Sequence, residues 1–289
     1  MPEILPGAEN FPTTLVVSDK VHRVLGLNPA TFTGPGTNTY LVGMDGGSPL
    51  IIDTGSGVPA YRTLLKNHME SHRTPPLKRI LLTHVHPDHI GGVADVRSLQ
   101  PGLTVHKHPW PEKDREWPVD LIPIADGDIF SGEGYTLRAI HTPGHARDHI
   151  CFFLEEEKAL FSGDNILGVG TTVIPREGGG LGQYMKSLHR LAEEDVGRIY
   201  PAHGPVIEDG RAKIEEYISH RQKREDQIIA ELESGDKTIM EMVRSIYREY
   251  PEKLYAAAGQ SVRSHLEKLE EEGRVAQDEA AEPRYTLST

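Results

Sequence analysis

The segment Thr83-His84-Val85-His86-Pro87-Asp88-His89-Ile90-Gly91-Gly92 puts four metal-capable side chains into six positions, directly after the apolar run Ile80-Leu81-Leu82. The apolar run reads as a short buried strand, and the paired glycines let a helix start close against it. A fold containing this segment must deliver the donors to the C-terminal edge of a sheet. Three imidazoles and a carboxylate mix nitrogen with hard oxygen, which suits a borderline divalent ion such as zinc. On an extended backbone His84 and His86 share a side and can hold one ion. Asp88 and His89 follow Pro87, which interrupts the strand, and can reach a second ion.

Later strand ends carry further donors. The strand Tyr135-Thr136-Leu137-Arg138-Ala139-Ile140 runs into His141-Thr142-Pro143-Gly144-His145. There, proline and glycine force a bend that aims His145 into a cleft as third ligand of the first ion. His141 and His149 have weaker claims, and His149 reads equally as a group supporting the site, as one facing substrate, or as a satisfied core histidine. Ile150-Cys151-Phe152-Phe153-Leu154 and Ala159-Leu160-Phe161-Ser162 form a hairpin ending in Gly163-Asp164, where a carboxylate is placed to bridge two cations. Ile199-Tyr200-Pro201-Ala202-His203 brings the last donor, His203, to the second ion. Asp53, at the end of Leu50-Ile51-Ile52, can orient a neighbouring histidine or cap a helix starting near Val58. His106 and His108 have ligand-pair spacing but no acid beside them, and are not read as ligands. Residues 168–182, with Gly178-Gly179-Gly180, read as a mobile loop at the mouth of the site, before a helix from Gln183 to Leu191.

Composition narrows the classes. The lone cysteine, Cys151, excludes an internal disulfide and a thiolate cluster. A net charge of −12 disfavours long-range attraction to polyanions, so a nucleic acid would have to be met by a local basic patch or by the metals. His22, His68 and His72 sit singly among polar residues and read as surface groups. No apolar run approaches the roughly 18 residues of a membrane span, so no membrane partner is expected. The opening segment, with Glu3 and Glu9 and no arginine before Arg23, lacks the features of a secretory or matrix-targeting leader, which predicts a cytoplasmic protein.

Taken together, His84, His86, Asp88, His89, His145, Asp164 and His203 resemble the ordered ligand set of the metallo-β-lactamase superfamily: HxHxDH, a lone histidine, a bridging aspartate and a final histidine. The resemblance implies an α+β fold, an αββα sandwich of two mixed sheets with helices outside. It assigns His84, His86 and His145 to one metal and Asp88, His89 and His203 to the other, with Asp164 bridging. Two zinc ions are expected, with manganese or iron as alternatives. Within the superfamily, Gly36-Thr37-Asn38-Thr39-Tyr40-Leu41-Val42-Gly43, the segment around His145 and Tyr200-Pro201-Ala202-His203-Gly204-Pro205-Val206-Ile207 look closest to the lactamase-β-like 2 proteins, a glyoxalase II-like subfamily. Its members include an endoribonuclease acting on single-stranded RNA and fungal enzymes cleaving acyl-carrier thioesters, and it also allows a mitochondrial location. Asn165, beside Asp164, is compatible with the thioesterase branch. Asp53, Asn38, His149 and Asn165 are expected to support the ligands or face substrate.

The expected domains are 1–210, catalytic, and 211–289, a small winged-helix-like unit. The second is read as a long helix from Arg211 to Glu233, helices over Thr238–Tyr250 and Ser261–Glu272, and two strands. Arg263, His265 and Lys268 invite a nucleic-acid role, but Glu267, Glu270, Glu271 and Glu272 on the same helix favour packing or a homodimer contact. His220-Arg221-Gln222-Lys223-Arg224 is a better basic candidate, with a solvated helix face as the alternative. Two divalent ions about 3.5–4 Å apart make a bridging hydroxide available near neutral pH, and Asp88 is placed to orient it or relay its proton. The leading expectation is an endoribonuclease on single-stranded RNA. A thioester hydrolase is the alternative, and a non-catalytic interaction protein with a relict site is the third.

Overall fold

A computed structural model describes residues 11–288. The reading of Glu3 and Glu9 as part of an untargeted N-terminus falls outside the described residues. Among the described residues no helix is long and apolar enough to cross a membrane.

The first half of the chain forms a seven-stranded sheet whose strands lie side by side in sequence order. These are β1 (Thr14–Val16), β2 (Val21–Leu25), β3 (Asn38–Val42), β4 (Leu50–Ile52), β5 (Arg79–Leu81), β6 (Thr104–Lys107) and β7 (Leu121–Pro123). β1 to β4 are antiparallel neighbours, and β4 to β7 run parallel. The parallel crossovers carry α1 (Pro59–Ser71), α2 (Pro87–Ile90), α3 (Val93–Leu99) and α4 (Pro111–Asp114). The second sheet holds β8 (Ile129–Gly132), β9 (Tyr135–His141), β10 (Ile150–Leu154), β11 (Ala159–Gly163) and β12 (Arg198–Pro201), in the order β12-β11-β10-β9-β8. Only the β11–β12 pair is parallel, linked through α5 (Gly180–Ala192).

The central strands are buried on both faces, which explains unbroken apolar runs such as Ile150-Cys151-Phe152-Phe153-Leu154. Phe152 and Leu154 meet Tyr40, Val42 and Ile52 between the sheets, while Cys151 and Phe153 pack outward against Leu181, Tyr184 and Leu188 of α5. On the far side, Leu41, Ile51 and Ile80 pack against Tyr61 and Leu65 of α1 and Val93 and Val96 of α3. The layering is the expected αββα.

Next come α6 (Gly210–Glu233), α7 (Ile239–Ile246) and α8 (Tyr255–Glu271), closed by the ribbon β13 (Val275–Gln277) and β14 (Tyr285–Leu287), the helices-plus-ribbon arrangement of a winged helix. α7 carries a full capping box, Thr238 with Glu241. α6 serves both cores: Ile214 and Tyr217 join the cluster over the second sheet, whereas Ile228 and Leu232 join the C-terminal one. α8 starts at Tyr255, earlier than the expected Ser261, because the Ala256-Ala257-Ala258 stretch is itself strongly helix-forming. α5 likewise begins at Gly180 instead of Gln183.

The expected mobile loop over 168–182 is tied down at its glycines. Gly178 accepts a backbone hydrogen bond from Gly144, and a Cβ on Gly178 would stand 2.2 Å from the His145 carbonyl oxygen, so only glycine permits this approach. His22 and His68 also depart from the expected surface position. Both are buried, in a cluster with the exposed His72, because His22 lies on the side of β2 that faces α1.

Candidate metal centre

Parallel pairing of β4 with β5 and of β11 with β12 sends several strand ends to one rim. There Asp53 follows β4, the histidine-rich turn follows β5, His145 follows β9, Asp164 follows β11 and His203 follows β12. Gly163, just before Asp164, has φ +51, and a Cβ there would lie 2.6 Å from His149 Nε2, so glycine alone fits this turn.

The donors assemble in two groups. In the first, His84 Nε2 and His86 Nδ1 are 2.8 Å apart, and His145 Nε2 lies 3.0 Å from His86 Nδ1. In the second, Asp88 Oδ2 is 3.4 Å from His89 Nε2 and 3.2 Å from His203 Nε2. Asp164 sits between them. Its Oδ2 is 3.5 Å from His145 Nε2, while its Oδ1 is 3.4 Å from His89 Nε2 and 3.1 Å from His203 Nε2. All seven sequence-predicted ligands are therefore brought together, in the expected halves, with Asp164 facing both.

Three of the imidazoles are held by their other nitrogens. His89 Nδ1 donates to Asp53 Oδ2 at 2.8 Å, and His145 Nδ1 donates to the Val173 carbonyl at 2.8 Å. His84 Nδ1 is 3.0 Å from Thr83 Oγ1, whose proton goes to Asp53 Oδ2. For His84 and His145 this leaves Nε2 as the lone-pair nitrogen aimed at the centre, and His89 Nε2 points there too, towards Asp88 and Asp164. Asp53 also accepts from the Thr83 backbone N–H at 2.8 Å. It orients a histidine as expected, and it caps no helix: the residue before α1 is Val58, with no side-chain cap.

Charge divides the centre. Burial, reinforced by the other histidines, lowers His84 well below the ordinary imidazole value and His86 to about 4, so both present lone pairs at neutral pH. Burial opposes charge on His89 and His203 as well, but nearby carboxylates outweigh it. Asp88, Asp53 and Asp164 hold His89 well above the ordinary value, and Asp164 and Asp88 raise His203 to about 9. The same histidines overcome burial to keep Asp88 and Asp164 ionised. Converging imidazole lone pairs beside anionic carboxylates suit cations, and cation binding would displace protons from His89 and His203. Two deeply buried atoms in the middle of the donor set, His89 Nε2 and Asp164 Oδ1, have no hydrogen bond. The residues fit a pair of divalent ions.

The remaining candidates lie around this centre. His149, fully buried, accepts from the Asp164 backbone N–H at 3.0 Å and contacts Thr142 Oγ1, so it positions the Asp164 turn from behind. Asn38 Nδ2 donates to the carbonyls of Pro201 and Gly204, each at 2.8 Å, bracketing His203. Asn165 is buried, and its backbone carbonyl accepts from Tyr184 Oη at 2.6 Å. None of these three side chains faces open space. His141 stacks on His108 with centroids 4.1 Å apart, and His106 contacts Thr104, all away from the centre.

Of the basic candidates, Arg221, Arg224 and Lys268 are engaged internally, whereas His220 and Lys223 are exposed. Arg221 is buried and donates to the Thr172 carbonyl at 2.8 Å, and Arg224 lies over the Tyr247 ring at 4.0 Å. Lys268 pairs with Glu225 and Glu272, His265 is buried, and Arg263 is exposed. Packing is thus the observed role of the buried members. Thr83, Thr37, Thr172 and Val173 were not singled out from sequence: Thr37 Oγ1 approaches Asp88 Oδ2 at 3.4 Å, and Thr172 Oγ1 lies 3.1 Å from His145 Nδ1. For Thr83 the signal was its place between the strand and the first histidine.

Residues 32–203 match the family model described as metallo-beta-lactamase superfamily, and residues 238–282 match the beta-lactamase associated winged helix domain. The chain is 41% identical to the lactamase-like protein aptB of Emericella nidulans, over 94% of this chain and 89% of that protein. It is 38% identical to the beta-lactamase-like protein 2 homolog of Drosophila melanogaster, over 95% of this chain and 96% of that one. Among solved structures, a metallo-beta-lactamase family protein from Thermus thermophilus superposes with TM-score 0.73 at 28% identity, covering 94% of this chain and all (100%) of that one. A beta-lactamase domain protein from Burkholderia ambifaria superposes with TM-score 0.78 at 20% identity, covering 98% and 96%, a likeness of fold.

Proposed function

The chain belongs to the metallo-β-lactamase superfamily and carries its associated winged-helix domain, and from that premise we propose that it is a dinuclear metal-dependent hydrolase of acyl-thioesters. His84, His86 and His145 would hold one ion and Asp88, His89 and His203 the other, with Asp164 shared. Zinc suits this nitrogen and carboxylate set, with manganese and iron as alternatives. The bound pair supplies an activated water near neutral pH and polarises the scissile group. Asp53, Thr83 and the Val173 carbonyl keep the imidazoles in the tautomer that binds metal. Asp88, whose side chain keeps 22% of its surface accessible against 13% for Asp164, faces the opening and accepts the proton of the attacking water.

The substrate class rests on one observation: Arg221, Lys268 and Arg274 of the C-terminal part are already engaged in internal contacts. Arg221 serves the Thr172 carbonyl, and Lys268 and Arg274 serve Glu225. In a chain of net charge −12, that favours an uncharged carbonyl over a polyanion. Cleavage of single-stranded RNA is the second reading, supported by a winged-helix unit packed beside the His145 loop. Metal-loaded protein is to be incubated with an acyl-thioester, following thiol release, and separately with end-labelled unstructured RNA, with Asp88→Ala as control. Thiol release that needs Asp88 is the expected result. RNA cleavage alone would overturn the thioesterase reading, and inactivity on both would remove its support.

A further inference from the structure

A second group of donors lies on the outer face of the first sheet. Along β2, Val21 faces the cluster between the sheets, whereas Val24 faces Tyr61 and Leu65 of α1. His22, two residues from Val24, shares its side and so meets α1. His68 and His72 are one helical turn apart at the C-terminal end of α1. The rings of His22, His68 and His72 pack with centroids 4.2–5.2 Å apart, and one nitrogen from each lies within 4.8 Å of the other two.

Hydrogen bonding has already prepared the nitrogen of His72. His72 Nδ1 lies 2.9 Å from the His68 carbonyl, which can only accept, so this nitrogen carries the proton and Nε2 is free to ligate. His22 Nδ1 and His68 Nε2 face each other at 3.0 Å and share one proton, which an ion taking both nitrogens would shift to the far nitrogen of its own ring. A tetrahedral zinc with Zn–N bonds of about 2.0–2.1 Å holds its nitrogens about 3.3–3.4 Å apart, so that pair needs only a small separation and the exposed His72 can swing to complete the set. Burial, with repulsion from the neighbouring rings, lowers His22 and takes His68 down to about 4, so both stay neutral.

We propose that His22, His68 and His72 form a further metal site, separate from the catalytic centre, that takes a late first-row divalent ion such as zinc and clips α1 to β2. Three neutral nitrogens without a carboxylate select zinc, copper or nickel over magnesium or calcium. The fourth position, beside exposed His72, faces solvent and is filled by water. An ion bound there stabilises the folded state by linkage.

The test uses full-length protein without a polyhistidine tag, stripped with chelator, reloaded with zinc, dialysed and analysed for metal per chain. His72→Gln changes an exposed side chain, and the double variant His22→Asn/His68→Asn removes the buried pair. Both are expected to carry one equivalent less than wild type, to lose the zinc-dependent rise in melting temperature that belongs to this site, and to keep hydrolytic turnover. Equal metal content in wild type and both variants would overturn the proposal and leave a histidine–histidine packing contact.

Discussion

Replacing Asp53 by asparagine separates metal binding from folding more cleanly than changing a ligand. Asp53 is buried at φ +59, and its carboxylate accepts from the Thr83 N–H, the Thr83 hydroxyl and His89 Nδ1, each at 2.8 Å. Asparagine has the same shape and tolerates the left-handed backbone. Its amide presents one oxygen where there were two. With that oxygen towards the Thr83 N–H, the NH₂ faces His89 Nδ1–H; with the amide flipped, the NH₂ faces the Thr83 N–H. The first arrangement is relieved only if the His89 proton moves to Nε2, the atom aimed at Asp88 and Asp164. Losing such a supporting contact weakens metal binding about 10–100-fold, equivalent to about 1.4–2.8 kcal/mol. Asp53→Ala adds a left-handed alanine, at about 1–2 kcal/mol, and an unsatisfied buried N–H, at about 1–3 kcal/mol. Chelator competition should therefore show the affinity loss in Asp53→Asn with little change in urea midpoint, and Asp53→Ala should lose both. Wild-type metal affinity in Asp53→Asn would refute the claim that Asp53 sets the His89 tautomer.

Asp88→Ala is expected to lower turnover by at least about 10²–10⁴ through loss of the proton acceptor together with a ligand of the second ion, with circular dichroism near wild type; undiminished turnover would remove both roles. Lys107 is buried between Asp148, at 2.6 Å, and Asp114, at 2.8 Å; Lys107→Met strands the fully buried Asp148 and should cost about 3–5 kcal/mol in urea unfolding. His265 is pushed down to about 3 by burial first and then by Arg221, Arg224 and Lys268. The folded state therefore resists its protonation, and its contribution is complete above the unfolded value near 6.5 and lost as pH falls, by up to about 1.4 kcal/mol per pH unit. His265→Leu should flatten stability between about pH 6.5 and 5, measured by urea midpoints across that range.

The centre was legible because its donors sit at strand ends next to residues that break strands. Pro87, Pro143 with Gly144, and Gly163 each mark a bend where one side chain can be aimed, and the two sheets supply the convergence. Asp53 was legible for the same reason. The buried role of Arg221 was not, because a run of His220, Arg221, Lys223 and Arg224 resembles a solvated face. The missing signal lay in helical register: Ile214, Tyr217, Arg221, Glu225, Ile228 and Leu232 are all buried on α6, and their spacing of three and four residues defines a single stripe. A charged residue on an apolar stripe is buried with a partner, as Glu225 is with Lys268 and Arg274. The cluster of His22 with His68 and His72 was hidden because it depends on β2 lying beneath α1, a long-range contact that local spacing does not encode.

That stripe bears on what the winged-helix unit does for the catalytic centre. Arg221 of α6 reaches across to the Thr172 carbonyl at 2.8 Å, and Ser264 of α8 donates to the Ile174 carbonyl at 3.0 Å. Between these anchors, Val173 accepts the proton of His145 Nδ1, and Thr172 Oγ1 lies 3.1 Å from the same nitrogen. The C-terminal helices thus hold the strand of loop that fixes one imidazole of the first donor group. Arg221→Met keeps the length of the stem, removes the charged donor, worth about 1.5–3 kcal/mol, and releases Thr172. If the C-terminal unit positions His145, this variant should retain a cooperative unfolding transition, bind the first of two metals more weakly in stepwise chelator competition, and lose turnover without a matching rise in KM. If instead the contact only packs two domains together, stability alone would fall and stepwise metal binding would be unchanged, which would refute the positioning role.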